Sequence, residues 1–196
     1  MMKPKTNPPG RIKIMAALTD LMESKDFHSI TTAEIAGRAG VTEGLIYKYF
    51  KDKKDLLYQV LGEHFQAFFL GVESRARQRK TCVAQLEEFI AASLESYSAN
   101  RVFSRILLLE VRNSPVFFQS VAYEMVRDYA GLLLKIIQAG MDSGELKPGI
   151  DARLLRKVIL GAIEHACLGE VIFNREFNPE RTAAGISNIV LNGVGE

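Results

Sequence analysis

Along almost all of the chain past residue 10, apolar positions recur every three or four residues, and no stretch alternates with period two for more than a few residues. The pattern predicts an all-α protein of about nine helices punctuated by glycine and proline. A first helix is expected from about Pro9 to Lys25, with Ile12, Met15, Ala16, Leu18, Thr19 and Met22 inward. Thr31 then opens a second through a capping box with Glu34, turns Ile35 and Ala36 inward, and stops at Gly40. Thr42 caps a third from Glu43 to Phe50, with the Glu43 carboxylate in the turn the helix dipole favours. Asp52, helped by Asp55, opens a fourth from Lys51 to about Arg79, which leads from a small unit into a larger one.

Beyond it, VAQLEEFIAASLESY and VFSRILLLEVR read as two shorter helices, and Ser114-Pro115 restarts a long one that runs to about Ser143. Asp151 caps the next, and Pro179 starts the last. The expected organisation is a three-helix unit over residues 1–54 and an antiparallel helical bundle over 55–196. Within the small unit, two short helices joined by a glycine-containing turn describe a helix-turn-helix. Ile35, Ala36 and Ala39 of one face Val41, Leu45, Ile46 and Phe50 of the other. That leaves Thr42, Glu43, Gly44, Tyr47, Lys48 and Tyr49 outward, a mixture of hydroxyls, an ammonium and a glycine that suits phosphates and base edges.

Composition narrows the classes. Hydrophobic content of 47% with 24% charge is that of a globular chain. Net charge is only +2, but residues 1–60 hold 10 Lys/Arg against 7 Asp/Glu, while 61–196 hold 15 against 16. No apolar run reaches the roughly 18 residues of a membrane span. The polar, proline-containing start has no signal-peptide core, so a cytoplasmic protein is expected. Cys82 and Cys167 lie in apolar helical patterns and are expected to stay reduced. Three scattered histidines, no cysteine cluster, no glycine-rich phosphate loop and no G-x-S-x-G leave no expectation of a metal, a cofactor or an enzyme.

The segment ITTAEIAGRAGVTEGLIYKYFKDKKDLL closely resembles the DNA-binding signature of TetR-family transcriptional regulators: a threonine-capped helix with an EIA…AGV core, a short recognition helix of the form S/T-x-G-x-(L/I)-Y-x-(Y/H)-F, then K-x-(K/E)-(D/E)-L. The match runs from Thr31 through Leu57. The resemblance implies a ligand-responsive regulator, most often a repressor, that binds a pseudo-palindromic duplex as a homodimer. By the same resemblance Thr32, Thr42, Tyr47, Tyr49 and Lys53 are phosphate contacts, with Arg11 a further candidate, and Gly44, Lys48 and Glu43 face the bases. Lys3 and Lys5 of the tail are candidates for the minor groove.

The last two helices carry broad apolar faces interrupted by small residues, and in the resembled family such helices pair with their mates. The expected dimer face holds Leu155, Val158, Ile159, Ala162, Ala166, Ile186, Ile189 and Val190. Glu110 and Arg112 interrupt a run that looks buried and so need protein partners or an anionic ligand. A narrower resemblance, in LLLEVRNSPVFF and GMDSGELKPGIDARLLRKVILGAIEH, is to the fatty-acid-degradation regulators of this family, which respond to long-chain acyl-CoA. It implies a cavity at Phe89, Arg105, Leu109, Arg112, Phe118, Tyr123 and His165. Two alternatives stay open: an efflux-system repressor sensing a flat hydrophobic xenobiotic, and a helical lipid-binding module without DNA. The partners expected are duplex DNA, a small hydrophobic or amphipathic effector and a second copy, with no membrane.

Overall fold

The structure, a computed structural model, describes residues 8–173, 175–176 and 178–193. Lys3 and Lys5 lie outside the described residues. Among those described there are nine α-helices and no strand: α1 (Pro9–Met22), α2 (Thr32–Ala39), α3 (Glu43–Tyr49), α4 (Lys53–Arg77), α5 (Cys82–Ala99), α6 (Arg101–Arg105), α7 (Val121–Asp142), α8 (Ala152–Phe173) and α9 (Pro179–Asn192). The chain forms two compact units that divide inside α4, after Leu61.

In the first unit α1 packs on α2 and α3. Ile14, Leu18, Met22, Phe27, Ile30, Ile35, Ile46, Phe50, Leu56 and Leu61 are its buried core. The expected inner face of α1 is turned: Ile12 and Ala16 are exposed, and Ile14 and Ala17 are buried in their place. Two apolar arcs overlap on this helix, and only packing against its neighbours chooses between them. The capping box of α2 is complete. The Thr31 amide donates to Glu34 Oε2 at 2.8 Å, and the Glu34 amide donates to the Thr31 hydroxyl at 3.2 Å. At the other end Gly40 adopts φ 65°, and the amides of Gly40 and Val41 close on the carbonyls of Gly37 and Ala36. Asp52 caps α4 by accepting from the Asp55 amide at 2.8 Å, and Asp55 accepts in return from the Lys51 amide at 2.8 Å.

In the second unit α5 lies against α7, α8 and α9. Phe89 stacks on Tyr129 with ring centroids 4.7 Å apart, and the Tyr129 hydroxyl donates to Ser93 at 2.8 Å. Buried Glu88 on α5 accepts from Arg75 and Arg79 and so fastens the end of α4 and the loop after it. Buried Glu170 on α8 accepts from Arg101 at 2.6 Å and Ser98 at 3.2 Å. A Cβ on Gly140 would stand 2.9 Å from the Leu146 side chain, so α7 needs glycine where the following loop folds back over it.

Two expected elements differ. The VFSRILLLEVR segment is a short α6, a π turn over Ile106–Glu110 and a 3-10 turn over Val111–Asn113. Ile106 and Val111 are both buried. On an α-helix residues five apart stand about 140° apart, whereas a π turn brings them to one side. The long helix starts at Val121, not at Ser114-Pro115. Buried Phe117 draws the intervening residues into a 3-10 turn, and the Ser120 hydroxyl accepts from the Tyr123 amide at 3.3 Å to cap α7.

The Glu34 carboxyl is lowered from its ordinary 4.5 to about 2, first by the Lys25 ammonium and then by the Thr31 amide and hydroxyl. A depressed carboxylate contributes stability above its unfolded value and loses it as pH falls through the folded one, here from 4.5 toward about 2. Thermal melts between about pH 6 and pH 2 should therefore fall more steeply for the native chain than for Glu34→Gln, and parallel curves would contradict this. Thr31→Ala should cost about 1 kcal/mol at neutral pH, read from denaturant midpoints.

Candidate nucleic-acid interface and ligand cavity

The corner at Gly40 presents the outer side of α3. Thr42, Glu43, Gly44, Tyr47 and Lys48 are exposed, Tyr47 by 56%, and Tyr49 is half-buried. Gly10 of α1 sits against Leu45 and Tyr49 so closely that a Cβ there would lie 3.0 Å from the Leu45 side chain, an approach that the sequence pattern did not reveal. Thr42 stands at the N-cap of α3 in extended backbone, but its hydroxyl makes no capping bond, contrary to expectation. The turn is held by the Leu45 amide on the Thr42 carbonyl at 3.0 Å. Thr32 donates its hydroxyl to the Glu43 carboxylate, so these two side chains meet across the corner.

Two residues expected at the duplex are occupied inside the fold. The Lys53 ammonium donates to the carbonyls of Phe27 at 3.0 Å, His28 at 3.4 Å and Ile30 at 2.6 Å, and lies 4.6 Å from the centre of the Phe27 ring. Desolvation there lowers its pKa. The carbonyls belong to a 3-10 turn and its exit, where the Ile30 amide reaches the Phe27 carbonyl at 3.3 Å, and the ammonium is a second donor within reach of all three. Arg11 donates to Gln59 at 2.6 Å, lies over the Phe50 ring, and so joins α1 to α4.

In the second unit, α4 (His64, Phe65, Ala67, Phe68), α5 (Ser96, Tyr97, Asn100) and α6 with its π turn (Phe103, Ser104, Leu107) surround a cavity of about 230 Å³. His64 stacks on Phe103 with centroids 3.3 Å apart, and burial lowers its pKa against the opposing charge of Glu63. Phe68 packs on Phe65, Tyr97 and Tyr129 at 6.0, 5.4 and 5.1 Å. The Ser104 hydroxyl is taken by the Tyr97 carbonyl at 2.9 Å. The Tyr97 ring is buried, and its hydroxyl has no hydrogen-bond partner among the described residues. A larger groove of about 990 Å³ lies between α5, α9 and the loop before α8. Its lining mixes carboxylates, among them Glu87, Glu145 and Glu180, with the cations of Arg79 and Lys147.

The residues expected at a cavity do not line the smaller one. Phe89 is buried in the core against Tyr129, and Arg112 is paired twice with Glu164, at 2.8 and 2.6 Å. Arg105 faces Glu110 at 3.9 Å across the π turn. Leu109, Phe118 and His165 are exposed, and Tyr123 is half-buried beside Phe118. Arg112, which looked like a cavity group, is exposed and paired with a protein carboxylate. The sequence signal for the actual lining is the aromatic run HFQAFF on α4 facing Tyr97 and Phe103. At the expected dimer face Val158 and Ile189 are 51% and 56% exposed. Leu155, Ala162, Ala166, Ile186 and Val190 are half-buried, while Ile159 is wholly inside its own core and so cannot touch a second copy. Exposed Leu154, one residue from Leu155, continues the Val158 stripe along α8.

Comparison with known proteins identifies the two segments separately. The description "Bacterial regulatory proteins, tetR family" matches residues 14–60, and that of the C-terminal region of YsiA-like proteins matches 61–193. The fatty acid metabolism regulator protein of Bacillus subtilis (strain 168) is 25% identical over 186 residues, 95% of this chain and 96% of that protein. The nucleoid occlusion factor SlmA of Marinomonas sp. (strain MWYL1) is 25% identical over 189 residues, 93% and 95% of the two chains. The crystal structure of FadR from Bacillus subtilis in complex with stearoyl-CoA superposes with a TM-score of 0.84 at 25% identity, over 94% of this chain and 99% of that one. FadR from Bacillus halodurans gives 0.85 at 22% identity, over 97% and 98%.

Replacing Lys53 with methionine keeps the apolar stem and removes the donor shared by three carbonyls. The variant should lose about 1–3 kcal/mol of stability in denaturant titration. A Lys53→Met protein with native stability and impaired duplex binding alone would return this residue to the interface.

Proposed function

The chain belongs to the tetR family of bacterial regulatory proteins and is a transcriptional regulator, and we propose that it is a homodimeric repressor released from its operator by an acyl-CoA. The observation that carries the DNA half is the outer side of α3. There Thr42, Gly44, Tyr47 and Lys48 stand free on a helix whose tilt is fixed by a capped and glycine-stopped corner. Tyr47 and Thr42 hydroxyls suit phosphates, Gly44 lets the backbone approach a base edge, and the Lys48 ammonium suits guanine O6 and N7. Glu43, held by Thr32, is the acceptor on this face for a cytosine amino group.

Dimerisation is supported by the exposed stripe of Leu154, Val158 and His165 on α8, with Ile189 on α9. Its spacing is that of a helix face left uncovered among the described residues. A pseudo-palindromic duplex read by two copies has half-sites one turn apart, about 34–36 Å. Such a regulator works in the cytoplasm, where the duplex is. The acyl ligand is supported by the likeness, over nearly the whole chain, to a relative named as a fatty acid metabolism regulator and to a structure holding stearoyl-CoA. The aromatic cavity of the second unit suits an apolar chain, and Ser96 and Asn100 are polar residues of its lining. α4 runs from the unit that carries α3 to the cavity wall, which gives a ligand a covalent route to the reader.

One observation favours a second reading, a flat hydrophobic xenobiotic as effector: no arginine lines the cavity. A flat aromatic dye that displaces the operator where acyl-CoA does not would select it.

On a duplex selected from a random library, Tyr47→Ala with Lys48→Ala should weaken binding by at least about tenfold while leaving thermal stability unchanged. The log–log salt slope should also become shallower by about one for each phosphate that the variant no longer neutralises. Saturating acyl-CoA should weaken operator binding by about 5–150-fold. Duplex affinity indifferent to the double substitution would remove the proposed face.

A further inference from the structure

A carboxylate on the outer side of α3 needs a physical reason, because DNA is a polyanion and repels it at every sequence. Glu43 stands exposed in the first turn of that helix. Its one hydrogen bond among the described residues comes from the Thr32 hydroxyl, which donates to Oε1 and leaves Oε2 open. Thr32 is the first residue of α2, fixed in place by the capping box of Thr31 and Glu34, and its branched side chain has few rotamers. A hydroxyl has a single O–H to give, so while Thr32 donates to Glu43 it has none for a phosphate. An unheld glutamate would lose rotamer freedom on meeting a base, whereas this one is ordered beforehand. A carboxylate only accepts. In the major groove cytosine N4 and adenine N6 donate, whereas guanine O6 and N7 and thymine O4 accept. Against guanine or thymine, Oε2 meets another acceptor with no donor between them. Repulsion from phosphates is common to all sequences, so what this residue contributes is discrimination.

We propose that Thr32 is a positioning residue for Glu43, and that the pair restricts one base of the site read by each α3 to those with a major-groove amino group. Cytosine ranks first, because adenine places its N7 acceptor beside N6; guanine and thymine are rejected. The inference rests on the reading of α3 as the helix that contacts DNA. It gives Thr32 a task other than binding phosphate, and the two tasks leave different marks. A lost phosphate contact weakens all sequences alike, whereas a misaimed reader flattens the choice at one base.

The test measures, by fluorescence anisotropy, binding of the full chain to a duplex selected from a random library and to every single-base variant of it. Native chain, Glu43→Gln, Thr32→Val and Thr32→Ser are compared. For the native chain one position in each half-site should favour cytosine over guanine and thymine by at least about tenfold. Glu43→Gln, whose amide both donates and accepts, should flatten that position to within about threefold and leave the others unchanged. Thr32→Val should weaken the preference at the same position by about threefold or more, and Thr32→Ser, which keeps the hydroxyl, should restore it. Thr32→Ala, a good helix former, takes the place of Thr32→Val should that variant not fold. Weakening by Thr32→Val that is uniform over all duplexes overturns the positioning role. A guanine or thymine preference at the base that responds to Glu43→Gln, or no base that responds, overturns the amino-group rule and leaves α3 as the reader. Failure to select any duplex overturns that reading and the inference together.

Discussion

The left-handed corner at Gly40 is the constraint on which the outer face of α3 depends. A residue with a Cβ is strained at φ 65°, and only there can the amides of Gly40 and Val41 turn back onto the carbonyls of Gly37 and Ala36. That closure brings Ile46 and Phe50 down onto Ile35 in the core of the unit. With the inner side fixed, Tyr47 and Lys48 have no freedom but to face outward. Capping reinforces the same geometry from the other end, where Thr31 and Glu34 satisfy each other and Thr32 reaches Glu43. A reader of DNA needs its helix preset, because every degree of play would be an entropic cost at binding.

Lys53 shows how charge serves fold before function in so small a unit. An ammonium beside α3 looks like a phosphate ligand, yet it closes a turn, donating to the His28 and Ile30 carbonyls and sharing that of Phe27 with the Ile30 amide. Arg11 does the same through Gln59. In the larger unit Glu88, Glu170 and the Arg112–Glu164 pair follow this rule, each charge meeting its opposite across two elements. What is left without charge, between α4, α5 and the π turn, is the aromatic space suited to an apolar ligand. The π turn contributes to it directly. By admitting one more residue per turn it buries Ile106 and Val111 together while keeping Leu107 on the cavity wall.

Local chemistry was legible in the sequence because its partners lie within a few residues. Thr31 with Glu34, Gly40, Asp52 with Asp55 and Asp151 all act inside one turn of chain, so the starts and stops of α2, α4 and α8 follow from residue type and spacing. The helical period named the all-α class, and the string from Thr31 to Leu57 carried the family. Side-chain partners at a distance were not legible. Lys53 meets carbonyls 23 and 26 residues away, and Arg112 meets Glu164 across 52. His64 finds Phe103 only once α4 and α6 are packed. The choice of Ile14 over Ile12 and the site of the cavity were decided the same way, by which surfaces meet in three dimensions. Period and capping are properties of a segment, whereas burial and pairing are properties of the pair of segments that packing brings together.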